Sequence, residues 1–178
     1  MSDLADRLRH ERAEPADLAD RVALRELVDL YAYAVDRRRP DLFATLFPAD
    51  GELVVTSATG GEPLVLNGRD GWARAFTVVA PFTVTGHFVG NHLVRTAGDR
   101  AGGEAYCLVH EIYQAGDSPR IQLRFVRYAD AYVRRGGRWL FQTRVLHFDW
   151  HDDRALGPAR DLYRETGTVP MPRTGDRP

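Results

Sequence analysis

The sequence predicts an α+β fold in which a curved antiparallel sheet carries helices on its concave side. Three observations support it: apolar residues recur every three or four positions near the amino terminus, the period then changes to two, and four long alternating segments fill the second half. Such a sheet must bury one face against the helices. A strongly bent sheet closed by a helix leaves a concave pocket for a small molecule.

The composition is that of one ordinary globular domain. The chain has 178 residues, of which 44% are hydrophobic and 28% are charged. Its 24 basic and 25 acidic residues give a net charge of -1, so nucleic acid and anionic membranes are not expected as partners. All the basic residues are arginines, which excludes a lysine Schiff base.

Cysteine content and the amino terminus indicate the compartment. The single cysteine, Cys107, excludes an internal disulfide and fits a reducing environment. The first 20 residues are charged throughout, and no stretch approaches the roughly 18 apolar residues that a membrane span needs. We therefore expect a cytoplasmic protein.

Three segments are predicted along the chain. Residues 1–18 are polar and interrupted by Pro15, as in a surface arm or short helix, residues 19–150 form the domain, and residues 151–178 form an irregular tail. Within the domain an apolar stripe from Val22 to Val35 predicts a core-facing helix that ends before Pro40.

The remaining elements follow in order. Pro40 begins a short helical pattern, which Pro48 stops. Two alternating segments around the turn-rich ATGG predict a hairpin, and residues 69–79 predict a helix. An antiparallel meander of four strands is predicted last, over residues 82–96, 104–114, 120–135 and 138–150.

Alternation along the strands indicates which polar side chains share an apolar face. His87 and Asn91 lie on one face of the first meander strand, and Tyr106, Leu108 and His110 on one face of the second. A lone strand histidine is more often a core residue bonded to a carbonyl. Two such histidines favour proton transfer, since imidazole titrates near neutrality.

Asp36 lies in the last turn of the first helix. There it meets the negative end of the helix dipole, so burial should raise its pKa. The alternative is a surface pair with one of Arg37, Arg38 or Arg39, which would contribute little. At about 100° per residue, Tyr33 rather than Tyr31 shares a helix face with Asp36.

Several segments together resemble a known family. The helix with YAYAVD followed by PDLFATLFPAD, the strand TGHFVGN and the ending YADAYVRRGGRWLFQTRV are similar to the SnoaL-like branch of the nuclear-transport-factor-2-like superfamily. That branch resembles scytalone dehydratase, bile-acid dehydratase, ketosteroid isomerase and polyketide cyclases. The similarity covers about residues 20–150.

The resemblance implies a cone-shaped fold, a homodimer or homotrimer, and acid–base chemistry without a cofactor or metal. It makes His87 the catalytic base, Asp36 the helix carboxylate and His110 a second histidine. It also makes Tyr31 the tyrosine that donates to a substrate oxygen, with Tyr33 the second choice because of the helix geometry.

The resemblance also assigns supporting residues. Asp130 and Arg144 occupy places where this family often has an ion pair that braces the sheet. Six side chains are predicted to contact the substrate or form the pocket wall: Tyr33, Asn91, Trp72, Phe76, Tyr106 and Leu108.

The preferred hypothesis is a dehydratase, or a related isomerase or cyclase, for a hydrophobic oxygenated small molecule such as a polyketide or steroid-like intermediate. Two histidines and one carboxylate could instead hold iron(II), although no compact ligand motif is present. A ligand carrier or assembly partner on the same cone is the non-enzymatic alternative. An epoxide hydrolase is disfavoured because the paired aspartates and bridging arginine cannot be placed.

Overall fold

The structure, a computed structural model, describes residues 15–56 and 61–157. In chain order the elements are α1 (Pro15–Asp36), α2 (Pro40–Ala44), β1 (Glu52–Val55), β2 (Leu64–Asn67), α3 (Gly68–Val79), β3 (Val84–Ala97), β4 (Arg100–Ala115), β5 (Ser118–Arg135) and β6 (Arg138–Ala155). The α+β fold and the four-stranded meander predicted from the sequence are confirmed.

All six strands form one curved mixed sheet in the order β2-β1-β6-β5-β4-β3. Neighbours are antiparallel except β1 and β6, which are parallel. The register shifts once between β3 and β4 and twice between β5 and β6, and such bulges bend the strands that contain them. The architecture is that of a nuclear-transport-factor-2-like cone.

One apolar face of α1 packs on the inner face of the sheet. Its spacing of three and four residues produces this face, whose buried members are Leu24, Leu27, Val28, Tyr31, Ala34 and Val35. They meet an inner sheet face on which buried residues alternate, namely Ala105, Cys107, Val109, Val126, Tyr128 and Phe141. Together with α2 and α3 this layer leaves a cavity on the concave side.

The ordered elements extend beyond the predicted domain limits. Helix α1 begins at Pro15, which is a favourable residue for the first turn because it needs no hydrogen-bond partner for a backbone N–H. Strand β6 continues to Ala155, paired with β5, so an irregular tail from residue 151 is wrong for the residues up to 155. Residues 1–14 and 158–178 lie outside the described residues.

Candidate active site

The cavity lies between the inner sheet face and the three helices. Its volume is about 120 Å³. Its walls are mostly apolar, with contributions from Val35, Leu53, Phe76, Val109, Val126 and Leu146. Five polar side chains also line it: Tyr31, His87, Glu111, Arg124 and Tyr128. An apolar pocket with a few convergent polar groups is typical of a small-molecule site.

His87 and Asp36 form a hydrogen-bonded pair at one wall of this cavity. The ring Nδ1 of His87 lies 2.6 Å from Oδ1 of Asp36, and the backbone N–H of His87 donates to Oδ2 at 2.9 Å. The carboxylate of Asp36 is therefore held by both the ring and the backbone N–H of His87 on β3. Asp36 lies behind His87, where it borders an outer hollow rather than the cavity.

This pairing determines which nitrogen of His87 can act as a base. An ionised carboxylate only accepts hydrogen bonds, so Nδ1 must carry the proton that points at Asp36. The other nitrogen, Nε2, then has a free lone pair in the neutral ring. Within residues 15–56 and 61–157 it makes no hydrogen bond, and His87 lines the cavity.

The pKa of Asp36 moves opposite to the direction expected from its helix position. Burial would raise the pKa, but the hydrogen bonds and charge of His87 outweigh that effect and lower it. The hydroxyl of Thr85 contributes a further hydrogen bond. The expectation of a raised pKa is therefore wrong, because the tertiary partner contributes more than the local helix dipole.

The three arginines after Asp36 do not pair with it. Arg38 has a positive φ of 53°, and its guanidinium donates to Thr85 Oγ1 and to the carbonyls of Val79 and Phe82. It thereby ties the end of α1 to the segment that enters β3. Arg39 instead forms a surface pair with Asp41.

Tyr31, not Tyr33, faces the cavity. Tyr31 is 4% exposed and lines the cavity, whereas Tyr33 is 50% exposed and lies at the outer hollow. The choice of Tyr33 from ideal-helix geometry, and its assignment to the substrate site, are therefore wrong. Tyr31 needs no common face with Asp36, because His87 reaches across from β3 to connect the carboxylate to the cavity.

A buried ion pair lies beneath Tyr31. Arg144 donates to both carboxylate oxygens of Asp130 at 2.8 Å, and both side chains are fully buried, as the predicted bracing role requires. The guanidinium stacks against the rings of Tyr31, Tyr128 and Phe141 at 4.0 to 4.3 Å. Burial raises the pKa of Tyr31 to about 12, so its hydroxyl stays protonated and can donate.

The predicted face of β4 is the wrong one. His110 and Leu108 are exposed and Tyr106 contacts Phe125 on the outer face, whereas Cys107, Val109 and Glu111 point inward. Pairing that started from Ala97 and Arg100 without interruption would put His110 opposite His87. The bulge between Val89 and His92 adds a residue to β3, which turns His87 inward opposite Val109, while β4 alternates without interruption and keeps His110 on the outer face.

The same bulge explains why the predicted pocket position of Asn91 is wrong. Inward residues before the bulge are His87 and Val89, and the buried residue after it is Val94, so Asn91 is exposed rather than in the pocket. Trp72 is buried but lies outside the cavity, where its ring stacks on that of Phe47 with ring centres 4.5 Å apart. Of the six predicted contact residues, Phe76 alone lines it.

Sequence reasoning missed Glu111, Arg124 and Tyr128. The Nε atom of Arg124 lies 3.0 Å from Oε2 of Glu111, and Glu111 is only 4% exposed. Burial raises the pKa of Glu111, while Arg124 and then His87 oppose the shift. The available signal was a charged residue in the row Cys107, Val109, Glu111, which is otherwise apolar.

Among the residues that the structure describes, no group of three or more histidine, cysteine or carboxylate side chains is arranged to hold a metal ion. No described helix combines the length and apolarity needed to cross a membrane.

The model of the SnoaL-like domain family matches residues 16–145. The chain belongs to the SnoaL-like family. Among curated proteins, this SnoaL-like chain is 30% identical over 132 residues to uncharacterized proteins of Mycobacterium tuberculosis and Mycobacterium bovis, covering 73% of this chain and 86% of each relative.

Solved structures share the fold of this SnoaL-like protein. A proposed scytalone dehydratase from Novosphingobium aromaticivorans has a TM-score of 0.66 at 22% identity, with 84% of this chain and 97% of that chain covered. A hexachlorocyclohexane dehydrochlorinase from Novosphingobium barchaimii has a TM-score of 0.65 at 21% identity, with 86% and 97% covered. A protein from Kribbella flavida has a TM-score of 0.69 at 25% identity, with 75% and 93% covered.

Proposed function

We propose that this protein is a cofactor-independent dehydratase, or a related isomerase or cyclase, for a hydrophobic oxygenated small molecule. The observation that carries the proposal is the Asp36–His87 pair, which leaves the Nε2 lone pair of His87 free at the wall of a mostly apolar cavity. Elimination chemistry in the names of two structural neighbours, a dehydratase and a dehydrochlorinase, agrees with it.

Different cavity residues remove the proton and stabilise the negative charge that follows. Nε2 of His87 takes a proton from the carbon next to a ketone, and Asp36 stabilises the resulting imidazolium. Negative charge then develops on the ketone oxygen, where the hydroxyl of Tyr31 donates a hydrogen bond. The enolate expels a β-hydroxyl group in a dehydratase or takes the proton back at another carbon in an isomerase.

Turnover of a simple β-hydroxyketone tests this proposal. Wild-type protein is incubated with 4-hydroxyoctan-2-one, and the enone product, oct-3-en-2-one, is followed by its ultraviolet absorbance. His87→Gln should lower turnover about 10²–10⁴-fold, the usual contribution of general base catalysis. His110→Gln is the matched control because that histidine lies on the outer face of the same sheet.

A second readout isolates the proton transfer. Octan-2-one has no leaving group, so enzyme-catalysed exchange of its α-hydrogens in D₂O reports removal and return of a proton at carbon. Binding of these ketones without exchange or elimination by the wild type would refute the enzyme proposal and leave a carrier. Equal turnover by folded His87→Gln and His110→Gln variants would remove His87 from the mechanism.

A further inference from the structure

Glu111 is a buried carboxyl group inside the proposed active site. Its side chain projects from β4 into the cavity wall and is 4% exposed. Oε2 lies 3.0 Å from Nε of Arg124, yet the alignment does not make a hydrogen bond, and this oxygen has no other hydrogen-bond partner among the described residues. A buried polar atom left unsatisfied costs free energy, so it calls for a functional explanation.

The strand register places Glu111 beside His87. Thr85 is the direct partner of Glu111 across β3 and β4, and His87 follows two residues later on the same face. Diagonal neighbours of this kind have Cα atoms roughly 7–8 Å apart. A small substrate between the two side chains can therefore present its α-carbon to one and an oxygen on the adjacent carbon to the other.

Arg124 is held in place to support this carboxyl. Its Nη2 donates to Oε1 of Gln122 at 2.7 Å, and its guanidinium lies 5.5 Å from the ring centre of Phe148 and 6.0 Å from that of Phe82. These contacts fix the arginine beside Glu111, since Gln122 is the direct partner of Glu111 across β4 and β5. The arginine limits the cost of burying the carboxylate form once its proton has left.

Burial also prepares the group for this task. It raises the pKa of Glu111, whereas the pKa of Asp36 is lowered. Environments that push two carboxyl groups in opposite directions give them different roles: Asp36 stays ionised and orients the base His87, whereas Glu111 is more readily protonated.

We infer that Glu111 is the proton donor to the departing hydroxyl group, with Arg124 as a positioning residue. This inference rests on the proposed function. His87 removes the α-proton, and the C–H electron pair forms the enolate. The enolate electrons then form the C=C bond as the C–O bond breaks, the Glu111 proton joins the leaving oxygen to give water, and solvent returns the proton of His87 to the carboxylate.

Two substrates with the same skeleton and different leaving groups test the inference. Hydroxide needs a proton to depart, whereas chloride leaves as an anion without one. In Glu111→Gln, elimination from 4-hydroxyoctan-2-one should fall about 10²-fold or more, while elimination from 4-chlorooctan-2-one should stay within about threefold of wild type. Both reactions give oct-3-en-2-one, so one assay measures both after subtraction of the uncatalysed rate.

Controls separate proton donation from structural loss. Glu104→Gln removes a carboxyl group from the opposite face of the same strand and should change neither reaction. Thermal unfolding reports whether each variant folds. Where Glu111→Gln is destabilised, Glu111→Asp keeps a carboxyl group and should recover part of the hydroxide elimination, which a purely structural role does not predict.

The failures of the two proposals are distinguishable. If the wild type eliminates neither group and exchanges no α-hydrogen of octan-2-one, the proposed function is wrong. If the wild type is active and Glu111→Gln loses both eliminations equally, or keeps both, Glu111 is not the proton donor.

Discussion

The Asp36–His87 pair and the Glu111–Arg124 pair lie at the same cavity but in different environments. Asp36 sits behind the wall and receives two hydrogen bonds from His87, so it remains an ionised carboxylate. Glu111 is more deeply buried and lacks a well-aligned hydrogen bond at Oε2. The difference shows how burial and partners can give two carboxyl groups opposite roles on one fold.

Removing the carboxylate from the first pair should have the largest effect. In Asp36→Asn, the amide no longer favours the Nδ1-protonated tautomer or stabilises the imidazolium, so turnover of 4-hydroxyoctan-2-one should fall about 10²–10³-fold. Asp41→Asn is the control, because Asp41 is an exposed carboxylate shortly after the same helix. Unchanged turnover in Asp36→Asn would mean that the pair has only a structural role.

The tyrosine between the two pairs should give the next largest effect. Tyr31→Phe removes a donor to the developing oxyanion, and hydrogen bonds to charged groups contribute about 1.5–3 kcal/mol. Turnover should therefore fall by roughly tenfold or more. Tyr33→Phe should leave the same rate unchanged because Tyr33 lies outside the cavity. A larger loss in Tyr33→Phe would contradict this placement.

Breaking the second pair should affect stability. Arg124→Gln removes the cation that opposes the raised pKa of Glu111, so the carboxylate form becomes more costly to bury and up to about 1–2 kcal/mol of unfolding free energy should be lost at pH 7. This is below the value for a fully buried pair because the Arg124 side chain is 26% exposed. Urea unfolding measures it, and Arg127→Gln, at the more exposed pair with Asp149, should lose less.

A double-variant cycle tests whether the loss comes from the pair. Glu111→Gln combined with Arg124→Gln should be less destabilised than the sum of the two single variants, since neither charge is left alone. Additive losses would show that the 3.0 Å contact carries no coupling.

The two carboxyl groups should also give stability opposite pH dependences. The lowered pKa of Asp36 stabilises the fold above its unfolded value of about 3.9, and this contribution disappears as pH falls through the folded pKa. The raised pKa of Glu111 costs stability as pH rises from its unfolded value of about 4.3 towards the folded pKa. Arg124, His87 and Arg38 oppose that rise, and Asp36 adds to it.

Urea unfolding between pH 3 and pH 7 measures this smallest effect. Relative to wild type, Asp36→Asn should lose more stability at neutral pH than in acid. The free energy of unfolding of Glu111→Gln, relative to that of wild type, should be more favourable at neutral pH than in acid. If the difference in unfolding free energy from wild type changed with pH in the same direction in both variants, the assignment of opposite pKa shifts would be contradicted.

Much of the fold could be predicted because its signals are local. The apolar stripe of α1, the period-two segments and the turn-forming residues between them each act within a few positions. Asp36 and His87 were also selected as candidates, on a helix end and an apolar strand face, but not as partners of each other. Their 2.6 Å contact crosses 51 positions of sequence, and no local pattern reports it.

The choice of tyrosine shows a limit of helix geometry alone. An ideal helix places Tyr33 near Asp36, and that relation holds on the exposed side of α1, where both residues border the outer hollow. The site is formed instead by different helix faces, because His87 connects Asp36 to the cavity that Tyr31 lines.

The sequence by itself determined the α+β elements, the buried pair of Asp130 and Arg144 through its family resemblance, and the candidates Asp36 and His87. Only the tertiary structure decided that Glu111 replaces His110 at the cavity. Alternation is a property of a single strand, whereas register joins two strands, and one bulge shifts the pairing by one residue. The extra residue lies in β3, so the shift turns His87 inward opposite Val109, whereas the unbroken pairing of β4 with β5 keeps Glu111 inward and His110 outward.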